Sequence, residues 1–259
     1  MLGNGLFHGM YNPAMVWPSD HCVKLDGIND YVQVTGFNGI SSAHQSSIGN
    51  VGSFSLWFTG LDAASDQTIF YFSCSGGKFI HVIYRHEDDI IEIGRSDTDG
   101  NEPHVSQKVL FDMTDSQLQS RANHLVVSWN AGSVAAIPLT ATLQGVSLEA
   151  DSDSAEWSES TISRLYYGTN GTSGNEFSGQ IHNVALFNTD LDATRRTDIY
   201  NQGVPKNEAY HPNIIWYHTA SEKDWQSSTI QRTTVANRHG LTFGKVEYVN
   251  GALWATRVY

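Results

Sequence analysis

The chain has 259 residues and a formal net charge of -12, from 15 basic and 27 acidic side chains. With 40% hydrophobic and 11% aromatic residues it has the means to bury a sizeable core, which excludes global disorder. The acidic balance argues against a nucleic-acid partner, because phosphate binding needs a basic face.

Two cysteines, Cys22 and Cys74, are too few for a disulfide-framed scaffold, and no Cys-x-x-Cys pair suggests zinc or redox chemistry. Both lie in apolar, strand-like contexts and are expected as buried thiols, with a single bridge between them left open. No run reaches the roughly 18 apolar residues of a membrane-spanning helix, so no membrane insertion is expected.

Residues 1–20, with Gly3, Gly5, Gly9 and Pro13, read as an extended arm suited to docking. They lack the basic end and apolar run of a signal peptide, so the expectation is a protein made in a cytoplasm and kept or assembled there. Short runs rich in β-branched and aromatic residues follow, at 22–25, 31–35, 53–59, 68–73, 79–84, 90–94 and 105–111. More come at 124–129, 134–139, 162–168 and 180–187. In the run 53–59, Phe54, Leu56 and Phe58 share one face while Ser53, Ser55 and Thr59 share the other. Trp57 stands on that second face, which is therefore expected to be covered too. The acidic, Ser-rich stretch 148–160 reads as an exposed loop.

One helix is predicted, from 193 to about 202, with Asp192 as N-cap, Gly203 as the stop and Pro205 beyond. Residues 204–212 read as a linker, and 214–218, 230–235, 241–249 and 253–258 as further strands. No repeat of fixed period is present. Many short strands at this spacing predict an all-β, antiparallel sandwich with one short helix as a connector.

The order of these pieces resembles the laminin-G-like (concanavalin-A-like) jelly-roll family. The resemblance rests on residues 23–34 (VKLDGINDYVQV), on 53–58 (SFSLWF), on Asn123-His124 within 122–129, and on 165–168, 177–181, 184–188 and 191–203. It implies a jelly-roll domain over residues 21–203, with 204–259 as extra strands on the same sandwich. Physics accounts for parts of it directly. Asp26-Gly27 and Asn29-Asp30 supply turn residues between two strands, and Gly179 marks a bulge or a close backbone approach. The continuation 200–205 and 215–217 resembles structural proteins of tailed phages, especially marine ones. That likeness implies a non-enzymatic virion structural protein: a head decoration, a fibre or a tail-adhesin subunit. Its partners would be other virion proteins and copies of itself, with host-surface polysaccharide beyond them.

Two readings of another kind stand beside it: a free carbohydrate-binding lectin, with or without calcium, and a glycoside hydrolase on the same fold. Laminarinase-type hydrolases need Glu-x-Asp-x-x-Glu on one strand, and the nearest stretch, Glu149-Ala150-Asp151 onward, lacks the final Glu and is a polar loop. For calcium, Asp97, Asp99 and Asn101 place oxygen ligands at alternating positions, although Asp99-Gly100 also suits a plain hairpin turn. The resemblance would carry a metal site near an acidic residue after Gly179, but His182-Asn183 stands there, so no cofactor beyond that calcium candidate is expected. His81 and His86, five apart, fall on opposite faces of a continuous strand and read as core or surface histidines. Stacking faces for a glycan are assigned to Trp157, Trp225 and Tyr167, with Tyr166, Trp216 and Tyr217 read mainly as core.

Overall fold

In the computed structural model the described residues are 21–35, 51–61, 65–99, 102–113, 122–130, 137–149, 162–171, 174–203, 213–218, 231–232, 245–249 and 253–256. The β-branched and aromatic runs become strands, and their alternation makes each strand two-faced. One sheet holds β1 (His21–Asp26), β3 (Val51–Thr59), β8 (Asn123–Asn130), β9 (Ile137–Leu143), β10 (Val146–Glu149), β12 (Ser178–Phe187), β13 (Ile214–His218) and β16 (Leu253–Thr256). The other holds β2 (Tyr31–Thr35), β4 (Gln67–Cys74), β5 (Phe79–Arg85), β6 (Ile90–Asp99), β7 (Glu102–Asp112), β11 (Ile162–Tyr167), β14 (Gln231–Arg232) and β15 (Lys245–Val249).

The first sheet runs β10-β9-β8-β3-β12-β1-β16, and the second β14-β15-β2-β11-β4-β5-β6-β7. Along one edge of β12, β1 pairs with its first half and β13 with its second. The pairings between these strands are antiparallel, so the described residues form an all-β sandwich with one short α-helix.

The core lies between the sheets. Phe54, Leu56 and Phe58 of β3 face it, as the alternation predicts, and meet Phe70 and Phe72 of β4 and Ile80, Val82 and Tyr84 of β5. Phe54 stacks on Phe70 across the sandwich at 4.0 Å, and Trp129 leans on Phe54 and Phe72 at 6.2 and 5.2 Å. Each large side chain buried in this way contributes about 1.5–3 kcal/mol. Cys22 and Cys74 are both buried and form no disulfide, the arrangement expected from their apolar settings.

The first sheet also buries part of its outer face. Helix α1 (Ala193–Tyr200) is capped by Asp192, whose carboxylate accepts the Arg195 N–H at 2.8 Å. It lays Ile199 on Val126, Ala185 and Phe187, with Leu191 and Ile214 closing the cluster. Ser53 Oγ accepts the Leu191 N–H at 3.0 Å and lies 2.7 Å from the Thr189 carbonyl, tying the approach to the helix down.

Several expectations change. The opening strands are not partners of each other, since β1 belongs to one sheet and β2 to the other. The Asp26–Asp30 turn therefore crosses between layers, held by the Ile28 N–H on Asp26 Oδ1 at 2.9 Å. The helix stops at Tyr200 rather than near Gln202, because Asn201 and Gln202 already adopt left-handed backbone. The strand expected at 134–139 lies at Ile137–Leu143, and it pairs with Val146–Glu149, whose last two residues fall in the expected loop. Their two-residue turn takes positive φ at both Gln144 and Gly145, the conformation that tight hairpins require. At Gly179 the close approach is real: a Cβ there would meet the Thr59 carbonyl and the Phe177 ring.

Candidate functional site

The two outer faces follow from the same alternation and differ in what they carry. On the second sheet, residues opposite the core side chains form rows across the strands. One row runs Gln33 (β2), Tyr166 (β11), Tyr71 (β4), His81 (β5), Gly94 (β6) and Lys108 (β7). The row beside it runs Arg164, Ser73 and Phe79. Their rings form a connected band. Tyr71 and Phe79 stack at 5.2 Å, Phe79 and His81 at 5.4 Å, and Tyr166 stands tilted between Tyr31 and Tyr71 at 6.2 and 6.4 Å. Tyr31, Tyr71 and Phe79 are half-buried, while Tyr166 and His81 are buried. Burial, then the neighbouring Cys74 and Tyr166, push the Tyr71 hydroxyl up to about 12, so it stays a neutral donor at ordinary pH.

Gly94 makes the band possible. A Cβ there would run into the His81 imidazole, so the missing side chain lets that ring lie across β6. From that position His81 Nε2 sits 3.1 Å from Glu92 Oε1. Glu92 is the hub of a charge network: Arg85 reaches its Oε1 at 2.8 Å and Lys108 Nζ its Oε2 at 3.5 Å. Arg85 holds Asp66 with its other terminal nitrogen at 2.8 Å, and Asp66 in turn takes the backbone N–H and, at 3.1 Å, Nδ1 of His86.

The hydrogen bond from His81, and then Arg85, hold the Glu92 carboxyl well below the usual range against the opposing effect of burial. At Asp66 burial works against ionisation, but the bonds from Arg85 and His86 overcome it and the pKa falls. Both carboxylates are therefore ionised and gripped by one guanidinium. Neither is suited to be the proton-donating acid of a glycosidase pair, which needs a raised pKa.

The outer face of the first sheet carries a different row, His124 (β8), Trp57 (β3) and His182 (β12), in direct register. Trp57 lies 4.5 Å from the His124 ring and 6.2 Å from that of His182, and Tyr200 of the helix stacks on His124 at 5.8 Å. All three members of the row are buried, as expected for Trp57's face. Burial alone pushes His124 down to about 3, so it is neutral there.

Of the residues singled out in the sequence, Tyr167 corrects an expectation. It is fully buried and faces the core, because β11 turns Arg164 and Tyr166 outward and Leu165 and Tyr167 inward. Trp157 and Trp225 lie outside the described residues, as does Asn101. Asp97 and Asp99 belong to β6, where they pair with His104 and Glu102, so the backbone there is a hairpin ladder. Their side chains lie outside the described residues. Among the described residues no three His, Cys, Asp or Glu side chains come together to hold a metal ion.

His81 and His86 are not on opposite faces of one strand. β5 ends at Arg85, and both imidazoles reach the same network from its two ends. Tyr71, Phe79, Arg164 and Glu92 were not singled out in the sequence. The available signal was the outward half of β5, where Phe79, His81, Ile83 and Arg85 alternate with the apolar Ile80, Val82 and Tyr84.

No protein-family model matches this chain, and no curated protein matches it. Solved structures share its fold. A Bacteroides ovatus protein assigned a carbohydrate-binding role superposes with a TM-score of 0.61 at 11% identity, over 91% of this chain and 59% of its own. This chain thus spans a little over half the length of that protein. A heptameric SAP-like pentraxin from Limulus polyphemus matches with a TM-score of 0.51 at 7% identity, over 78% of this chain and 96% of its own. The binding domain of botulinum neurotoxin DC, solved with rat synaptotagmin II, matches with a TM-score of 0.52 at 11% identity, over 70% of this chain and 42% of its own. At such identities the common property is the β-sandwich itself.

Proposed function

We infer that this chain is a glycan-binding β-sandwich module whose binding surface is the outer face of the second sheet. The observation that carries this reading is the band of Tyr31, Tyr166, Tyr71, Phe79 and His81, flanked by serine hydroxyls and fixed charges. A sugar ring has an apolar face and a rim of hydroxyls. Half-buried rings beside fixed hydrogen-bonding groups suit both, and the network around Glu92 keeps those groups from rearranging. The binding roles of the structural neighbours agree with this reading without carrying it. Trp157 and Trp225 remain proposed as additional stacking faces. The virion subunit, first among the expectations from sequence, draws no support from the fold or its neighbours and takes second place.

The test is glycan-array screening of the purified full chain, followed by calorimetry on the best ligand. Phe79→Ala is expected to weaken binding at least tenfold, about 1.4 kcal/mol, while Ile28→Ala, at an exposed turn of the molecule, leaves it unchanged. Thermal melts of each variant guard against loss of fold. Retention of full affinity by a folded Phe79→Ala protein, with loss instead in Trp157→Ala or Trp225→Ala, moves the site off this sheet. Absence of any glycan ligand rejects the reading.

A further inference from the structure

Resting on the glycan reading, we propose that the ligand is acidic, and that Arg164 takes the carboxylate of a uronic- or sialic-type sugar beside the Tyr71–Phe79 stack. The cations whose side chains are described on this face are employed differently. Arg85 spends one terminal nitrogen on Asp66 and the other on Glu92. Lys108 stands over Glu92 Oε2 at 3.5 Å. Arg164 is exposed, donates from NH1 to the Tyr166 hydroxyl at 3.1 Å, and pairs with no carboxylate among the described residues.

That single bond to Tyr166 does not neutralise the guanidinium; it orients it. The remaining N–H groups have no partner among the described residues and form a planar fork, the donor geometry that matches a carboxylate with two parallel hydrogen bonds. The surroundings complete a subsite. Ser73 lies directly opposite Arg164 in the strand register, and Phe79 directly opposite Ser73. Ser163, displaced outward by the bulge in β11, donates to the Ser73 carbonyl at 3.0 Å and places its hydroxyl 3.0 Å from that of Ser73. Guanidinium, hydroxyls and aromatic ring thus follow one line across three strands, a span of about 10 Å. This suits two adjoining sugar rings, one stacked on Phe79 and Tyr71 and the other presenting its acid to Arg164.

Charge at the scale of the whole molecule sharpens the inference. A protein of net charge -12 repels an anionic ligand at long range. An arginine with no carboxylate partner among the described residues, on a half-apolar face, is then the local attraction that offsets this repulsion. Added salt screens the repulsion as well as the contact, so the affinity should vary little with ionic strength.

The experiment compares a hexuronate-containing oligosaccharide with its carboxyl-reduced, neutral counterpart, titrated against the full chain by calorimetry. The expected result is at least tenfold tighter binding of the acidic sugar, with Arg164→Gln abolishing that preference. Arg164→Lys should restore part of the preference. Equal binding of the two sugars by the unaltered protein, or a preference that survives in Arg164→Gln, overturns the inference while leaving the glycan reading standing. Failure to bind either sugar overturns the inference, and the array screen then decides the broader reading.

Discussion

The two sheets present outer faces built by the same alternation, yet polar groups on them meet opposite fates. On the first sheet the helix closes over the face, and His124 sits neutral between Trp57 and Tyr200 with neither ring nitrogen hydrogen-bonded among the described residues. On the second sheet Glu92, though only 7% exposed, is ionised and shared among Arg85, His81 and Lys108. Burial without partners strips charge from a titratable group, whereas burial with well-placed partners fixes it. A covered face thus becomes a second core. A face with fixed charges and half-open rings keeps the chemistry of a surface.

This contrast breaks most readily at the large aromatics. Phe187→Ala, in the cluster under the helix, is expected to cost about 3–5 kcal/mol in denaturant unfolding. Phe79→Ala, half-buried on the second sheet, should cost less than half as much. Equal losses would mean that the second face is as closed as the first.

Acid titration sharpens the comparison next. His124 is depressed to about 3 from an ordinary 6.5, so the unfolded chain binds its proton first, and stability falls as pH drops from 6.5 toward 3. His124→Phe should flatten stability over that upper window. Glu92 is depressed below its ordinary 4.5, so its contribution is complete above that pH and disappears only as pH falls further. Glu92→Gln should therefore flatten the curve only below about 4.5, and lower stability at neutral pH by roughly 1–3 kcal/mol. Melts at half-unit pH steps separate the two, and an unchanged upper window in His124→Phe would refute the neutral, buried assignment. The smallest effect is expected at the helix cap, where Asp192→Ala should cost about 1 kcal/mol.

Much of this was legible in the sequence where the cause is local. Phe54, Leu56 and Phe58 announced their face by simple alternation, Trp57 announced that the opposite face is covered, and Asp192 marked the helix start. What stayed hidden depends on register between distant strands. Nothing local says that β1 and β2 part company into different sheets, or that Tyr166, Tyr71 and His81 fall in one row. Tyr167 and Tyr166 are neighbours of the same type, and only the orientation of β11 decides which of them enters the core. The tight turn at Gln144-Gly145 lacks the usual Asn-Gly or Asp-Gly signal, so nothing marks β10 as a strand and the loop expected over 148–160 takes in its second half.

The position of β1 has a consequence for how the chain is made. Its partners are β12, which begins at Ser178, and β16, which begins at Leu253. During synthesis, residues 21–26 must wait for more than half of the chain before their first neighbour exists, and for nearly all of it before their second. Pairings of such long range are slow to form, because loop closure precedes any gain from contact. A nascent chain halted before β12 would hold the apolar Val23 and Leu25 without a sheet to join. The first sheet therefore closes late, and its assembly should set the pace of folding for the whole sandwich.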